Sequence, residues 1–137
     1  MNLYKIIEKS IDYIEKNLTN ELDVNKIANY CSISKSHFQK LFKTSMGYSV
    51  HDYITKRKLT LASNDLLSSD ESILNIAYKY GYNSQDTFTR AFKRENKITP
   101  YKFRREGKIR SQLPRMAPHN PENYIQENET EVLDSQV

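Results

Sequence analysis

The chain has 137 residues, 21 Lys and Arg against 17 Asp and Glu, one cysteine and a mean hydropathy of −0.78. That length makes one domain or two very small units. No apolar run approaches the roughly 18 residues of a membrane span, and the mixed opening "MNLYKIIEKS" is unlike a signal peptide, so a cytoplasmic protein is expected.

Helical periodicity runs through the first 107 residues, and no stretch alternates like a strand. Ile7, Ile11, Ile14 and Leu18 recur at helical spacing and predict an amphipathic helix over about 3–17. Asp23 can cap a second helix, in which Val24, Ile27, Ala28 and Cys31 fall at i, i+3, i+4 and i+7. Ser34 can cap a third, which buries Phe38, Leu41 and Phe42 and ends near Gly47, a residue suited to a left-handed C′ position. A long helix over about 49–67 offers Tyr53, Ile54, Leu61 and Leu66 for packing. After Ser68-Ser69-Asp70 a short helix around Ile73, Ile76 and Ala77 is broken by Gly81. Asn83 or Ser84 starts the sixth helix, which buries Phe88, Ala91 and Phe92. Thr99-Pro100 opens the seventh, where proline at N1 costs no hydrogen bond. The body is therefore expected to be all-α, with seven helices.

The remaining residues, 108–137, hold three of the four prolines and little periodicity. They read as a polar, acidic and disordered tail, with Glu127 to Glu131 a solvated cluster. Charge divides at the same place. Residues 1–107 carry 18 Lys and Arg against 12 Asp and Glu, and residues 108–137 carry 3 against 5.

Within the body one unit occurs twice. Ile27-Ala28 corresponds to Ile76-Ala77 at an offset of 49 residues; Phe38, Phe42, Lys43, Ser49 and Tyr53 correspond to Phe88, Phe92, Lys93, Thr99 and Phe103 at 50. Each unit is a short helix, a tight turn and a second helix, the arrangement in which one helix braces another against a DNA groove. The units lie at about 23–47 and 72–97, with the long helix between them. Helical solenoids usually need three or more repeats, and here there are two.

The outward faces point to the partner. Burial of Phe38, Leu41 and Phe42 leaves Lys35, Ser36, Gln39, Lys40 and Lys43 outside; burial of Phe88, Ala91 and Phe92 leaves Gln85, Asp86, Thr89, Arg90 and Lys93 outside. A generic solvated face mixes acids and bases. These two hold one acid, five Lys and Arg, and short or amide side chains, the types that pair with base edges and phosphates.

The stretches "IANYCSISKSHFQKLFKTSMGYSVHDYITKRKL" and "SILNIAYKYGYNSQDTFTRAFKRENKITPYKFRR" resemble the DNA-binding domain of the AraC/XylS family of bacterial transcription regulators, over residues 3–106. The similarity is greatest to its stand-alone MarA/SoxS/Rob type, activators of multidrug and stress regulons. The resemblance implies two helix-turn-helix subdomains joined by a long helix. It also implies monomeric binding to an asymmetric promoter site on double-stranded DNA, and contact with RNA polymerase. No small-molecule effector, cofactor or metal is expected.

Carried over by residue, the first recognition helix of that type, "SKWHLQRxF", is here "SKSHFQKLF". Gln39 matches, Lys40 stands for Arg and Ser36 for Trp. The second, "SQQTxTRxF", is here "SQDTFTRAF". Ser84, Gln85, Thr87, Thr89 and Arg90 match, and Asp86 stands for Gln. The expected base-reading residues are Ser36, Gln39, Lys40, Gln85, Asp86, Thr89 and Arg90; the expected phosphate contacts are Lys35, His37, Lys43, Ser84, Thr87 and Lys93. Lysine offers a point charge where arginine offers a fork, so the three departures predict an altered operator.

Other residues receive plainer readings. Cys31, with His37, His51 and His119 scattered, forms neither a disulfide framework nor a convincing zinc site, and reads as a core residue. Tyr48 and Tyr101 are expected to be exposed and within reach of phosphates, and Tyr30, Tyr80 and Tyr82 to pack. No nucleophile–base pair, Gly-rich phosphate loop or metal spacing suggests an enzyme. The alternative is an interaction module that binds RNA polymerase or another regulator without reading DNA.

Overall fold

A computed structural model of the chain describes residues 2–107; the tail and its acidic cluster lie outside the described residues. The described residues form seven helices and no strand: α1 Leu3–Lys16, α2 Val24–Tyr30, α3 Lys35–Met46, α4 Val50–Ser68, α5 Ile73–Lys79, α6 Gln85–Asn96 and α7 Pro100–Glu106. Every helix starts at a polar cap. Asn2, Asp23, Ser34, Ser49, Ser72, Ser84 and Thr99 each accept a backbone N–H one to two residues inside the first turn. These bonds satisfy donors that the helix itself leaves open.

Two hydrophobic cores form, and α4 belongs to both. Ile7, Ile11, Ile14, Ile27, Phe38, Phe42 and the N-terminal half of α4, through Val50, Tyr53 and Ile54, make the first. Leu59, Ala62 and Leu66 from the C-terminal half meet Ile76, Phe88, Phe92 and Phe103 in the second. Leu61 packs against both clusters. The helix closes one unit and opens the next. In α1 the buried positions 7, 10, 11 and 14 have the same spacing as 59, 62, 63 and 66 in α4.

The repeat read from sequence is a repeat of geometry. In the first turn Ile33 N donates to Ala28 O at 3.1 Å, and in the second Tyr82 N donates to Ala77 O at 3.0 Å. The residues that reverse the chain there are both left-handed, Ser32 at φ 61° and Gly81 at φ 86°. Phe38 and Phe42 meet at 5.8 Å between ring centroids, as do Phe88 and Phe92. Phe42 then meets Tyr53 at 5.7 Å, and Phe92 meets Phe103 at 5.4 Å. Ser34 and Ser84 cap α3 and α6 at an offset of 50, whereas Ile33 and Tyr82 match at 49, so the extra residue of the second turn is Asn83.

Some side chains sit elsewhere than expected. Leu41 and Ala91, equivalent by the repeat, are half-buried, because both lie at the margin of their helix's apolar stripe. Tyr48 is half-buried with its hydroxyl enclosed and unpartnered, so it cannot reach a phosphate; burial pushes its pKa up. Tyr30 is half exposed, its ring against Tyr13 and under the Lys9 ammonium. Cys31 is buried, and burial raises its thiol pKa against the opposing pull of Lys9.

Polar links tie α4 to its neighbours, and periodicity gives no hint of them. Arg57 places Nη2 2.7 Å from Glu15 Oε1 in α1, and Tyr53 Oη donates to the same carboxylate at 3.3 Å. Burial works against the Arg57 charge, but the bond and the field of Glu15 outweigh it and leave its pKa raised. In the second unit Arg104 of α7 donates from Nε to the Leu66 carbonyl at 2.8 Å and from Nη2 to the Ser69 carbonyl at 3.2 Å, closing the C-terminal end of α4. Asp65 accepts from Tyr80 Oη at 2.6 Å and Lys79 Nζ at 2.9 Å. Lys56 and Glu95 pair at 2.9 Å between α4 and α6.

Candidate nucleic-acid interface

Helix α3 is fixed on three sides: Phe38 and Phe42 anchor its inner face, Ser34 Oγ accepts from His37 N at 3.2 Å, and left-handed Gly47 ends it. What remains outside is a continuous exposed strip of Lys35, Ser36, His37, Gln39, Lys40 and Lys43. Beside it an open groove of about 620 Å³ runs to the start of α4, lined by Ser36, Gln39, Lys40 and Lys43 on one side and Ser49 and His51 on the other. The sequence pattern does not single out His51 as a contact. The residue sits at the second position of a helix capped by Ser49, a location that only the groove makes meaningful.

Helix α6 is fixed in the same way by Phe88 and Phe92, by the Ser84 cap and by a left-handed residue at its C-terminal end, here Lys97. Gln85, Asp86, Thr87, Arg90 and Lys93 are exposed, while Ser84 and Thr89 are half-buried at the edge of the strip. Ser84 and Thr87 form a local ring: Ser84 Oγ accepts from Thr87 N at 3.1 Å, and Thr87 Oγ1 donates to Ser84 O at 3.0 Å. Their hydroxyls thus serve the helix start before any ligand. Arg90 Nη2 donates to Asp86 Oδ2 at 3.0 Å, one turn away on the same face.

The two strips are basic, rigidly backed and free of the acids that would repel a polyanion, with the exception of Asp86. Among the described residues no group of three or more His, Cys, Asp or Glu is placed to hold a metal ion. No described helix is long and apolar enough to cross a membrane. Such a surface can neutralise phosphates through Lys35, Lys43 and Lys93 and offer hydrogen bonds to base edges through Gln39, Lys40, Gln85 and Arg90.

Comparison with known proteins agrees. Residues 27–106 match the helix-turn-helix domain family. The chain is 39% identical over 111 residues to the multiple antibiotic resistance protein MarA of Salmonella typhimurium, covering 79% of this chain and 87% of that one. The C-terminal domain of AraT, a response regulator from Geobacillus stearothermophilus, superposes with a TM-score of 0.72 at 25% identity, over 88% of this chain and 98% of that one. The DNA-binding domain of AdpA, a global transcriptional factor solved in complex with a target DNA, has the same fold, with a TM-score of 0.64 at 20% identity over 76% and 90% of the two chains.

Proposed function

The chain belongs to the AraC-type helix-turn-helix family of DNA-binding transcription regulators, which are not enzymes, and from that premise we propose that it reads an asymmetric promoter site as a monomer. Helices α3 and α6 enter two successive segments of the major groove on one face of the duplex. Ser36, Gln39, Lys40, Gln85, Asp86, Thr89 and Arg90 meet base edges; Lys35, His37, Lys43, Ser84, Thr87 and Lys93 face the backbone.

The observation that carries this reading is the pair of exposed strips in register, each on the second helix of a helix-turn-helix unit. The length of the helix between them is compatible with it. The 19 residues of α4 span about 28 Å at 1.5 Å per residue, close to the ~34 Å between successive major-groove segments. Any shortfall would be met by bending the duplex, at ~1–6 kcal/mol for 40–90°. Two non-identical heads on one chain suit a site without two-fold symmetry. The likeness to a multiple antibiotic resistance protein supports activation of stress or drug-resistance genes in the cytoplasm, through RNA polymerase contacts on surfaces that DNA leaves open.

Binding-site selection followed by analytical ultracentrifugation of the saturated complex tests this. The expected result is a non-palindromic consensus spanning two groove segments, one protein per duplex, and steep weakening with salt, about −0.9 in log K per log salt for each phosphate neutralised. Two proteins per site, or no consensus, refutes it.

A further inference from the structure

Asp86 and Arg90 face each other across one turn of α6, with Nη2 to Oδ2 at 3.0 Å and side chains 79% and 71% exposed. An exposed pair contributes little to folding, yet it lies in the middle of the proposed reading face. The bond uses one of the five guanidinium N–H groups and leaves a two-donor edge open, while Asp86 keeps Oδ1 as a free acceptor. Fifty residues earlier the equivalent positions hold Ser36 and Lys40, with neither carboxylate nor fork.

The two open ends have opposite demands. The guanidinium edge matches the O6 and N7 acceptors of guanine. A carboxylate can only accept, so it suits the amino group of cytosine or adenine and is repelled by the acceptor atoms of guanine and thymine. Each residue also makes the other tolerable near DNA. Asp86 restricts the rotation of a long side chain, and Arg90 screens a carboxylate from the phosphates.

We propose that Asp86 and Arg90 form one specificity unit, in which Asp86 positions Arg90 on a guanine and itself accepts from the amino group of a neighbouring cytosine or adenine. The unit rests on the reading of α6 as a recognition helix and names what that helix selects. Because the pair is neutral as a whole, it adds discrimination without adding to the salt dependence.

Binding-site selection and titration with wild type, Asp86→Ala and Asp86→Asn test the unit. The position is exposed, and circular dichroism should show all three proteins folded alike. Asp86→Ala is expected to bind arbitrary duplex more tightly, and to lower the guanine preference at the Arg90 position about tenfold although alanine cannot touch that base. The neighbouring preference for an amino base should vanish. Asp86→Asn should shift that neighbouring position toward adenine, the two-pronged partner of an amide. If Asp86→Ala tightens all sequences equally and leaves both preferences as in wild type, Asp86 is only a surface charge and the unit does not exist. A wild-type protein that selects no sequence at all would instead remove the recognition-helix reading, and the unit with it.

Discussion

The two helix-turn-helix units share a skeleton and differ in what they hang on it. Aromatic spacing, caps and turn bonds repeat to within a few tenths of an ångström. The faces diverge: α3 carries three lysines and no acid, whereas α6 carries Arg90 and Lys93 with Asp86 among them. Strain is divided in a crossed manner. Each unit has two left-handed positions, one in the turn and one after the second helix, and each has glycine at only one of them. The first places Gly47 after α3 and Ser32 in the turn; the second places Gly81 in the turn and Lys97 after α6. Buried positions tolerate little change because the core punishes it, while exposed and strained positions can vary.

Matched core truncations probe the shared skeleton most strongly. Phe38→Ala and Phe88→Ala should each cost ~3–5 kcal/mol in chemical denaturation. Because α4 contributes to both cores, each should lower protection from hydrogen exchange in both units. Exchange confined to the mutated half would show that the units fold independently.

Next in size is a link that one unit alone has. Arg57→Ala strands Glu15 beside the first core and should cost about 3 kcal/mol, since removing one partner leaves an uncompensated charge largely out of water. Arg57→Met, which keeps the apolar stem, should recover part of that loss.

The basic residues of the two strips should differ in kind. Arg90→Ala should cost ~1–3 kcal/mol on the selected site and relax one or two base pairs. Lys43→Ala and Lys93→Ala should weaken all sequences alike and each reduce the salt slope by ~1. A binding-site selection in which Arg90→Ala keeps the consensus would show that Arg90 reads no base.

Two small effects complete the comparison. Tyr48 corresponds to Ile98, and its enclosed hydroxyl lacks a partner; Tyr48→Phe should leave stability unchanged or raise it by about 1 kcal/mol. Gly47→Ala meets no neighbour within 4 Å, so its cost, ~1 kcal/mol, is torsional alone. Lys97→Gly should gain up to ~1 kcal/mol, the relief of a left-handed lysine less the entropy of glycine. Thermal denaturation of all three variants checks these effects.

Most of the architecture was legible in the sequence, because each helix announces itself locally. Ser34, Ser84 and Thr99 stand where caps belong, and the Phe38–Phe42 and Phe88–Phe92 spacings fix which face goes inward. Most exposed positions of α3 and α6 were legible as well, since exposure follows once the apolar stripe is placed, although Thr89 is half-buried. What sequence could not show depends on distance between elements. The Glu15–Arg57 pair joins residues 42 apart, and the groove beside α3 needs α4 to turn His51 toward it. A tyrosine after Gly47 looks like a loop residue in sequence, and only the fold shows that Tyr48 leans on Tyr53.

Helix α4 runs 19 residues without a break, from the core of one unit into the core of the other. Its length is therefore also a clock setting. Each residue added near its middle would turn the second head by ~100° and advance it by ~1.5 Å, so a single insertion would point α6 away from the duplex. Seven added residues make nearly two full turns, restoring the direction to within ~20° while carrying α6 about 10 Å further on, some three base pairs. A chain so altered would face the DNA again, but 10 Å is only about a third of the ~34 Å between major-groove segments on one face, so α6 would meet the backbone or the minor groove. On the proposed two-headed reading, the number of residues in one helix fixes the phase at which the two halves of a promoter site must follow each other.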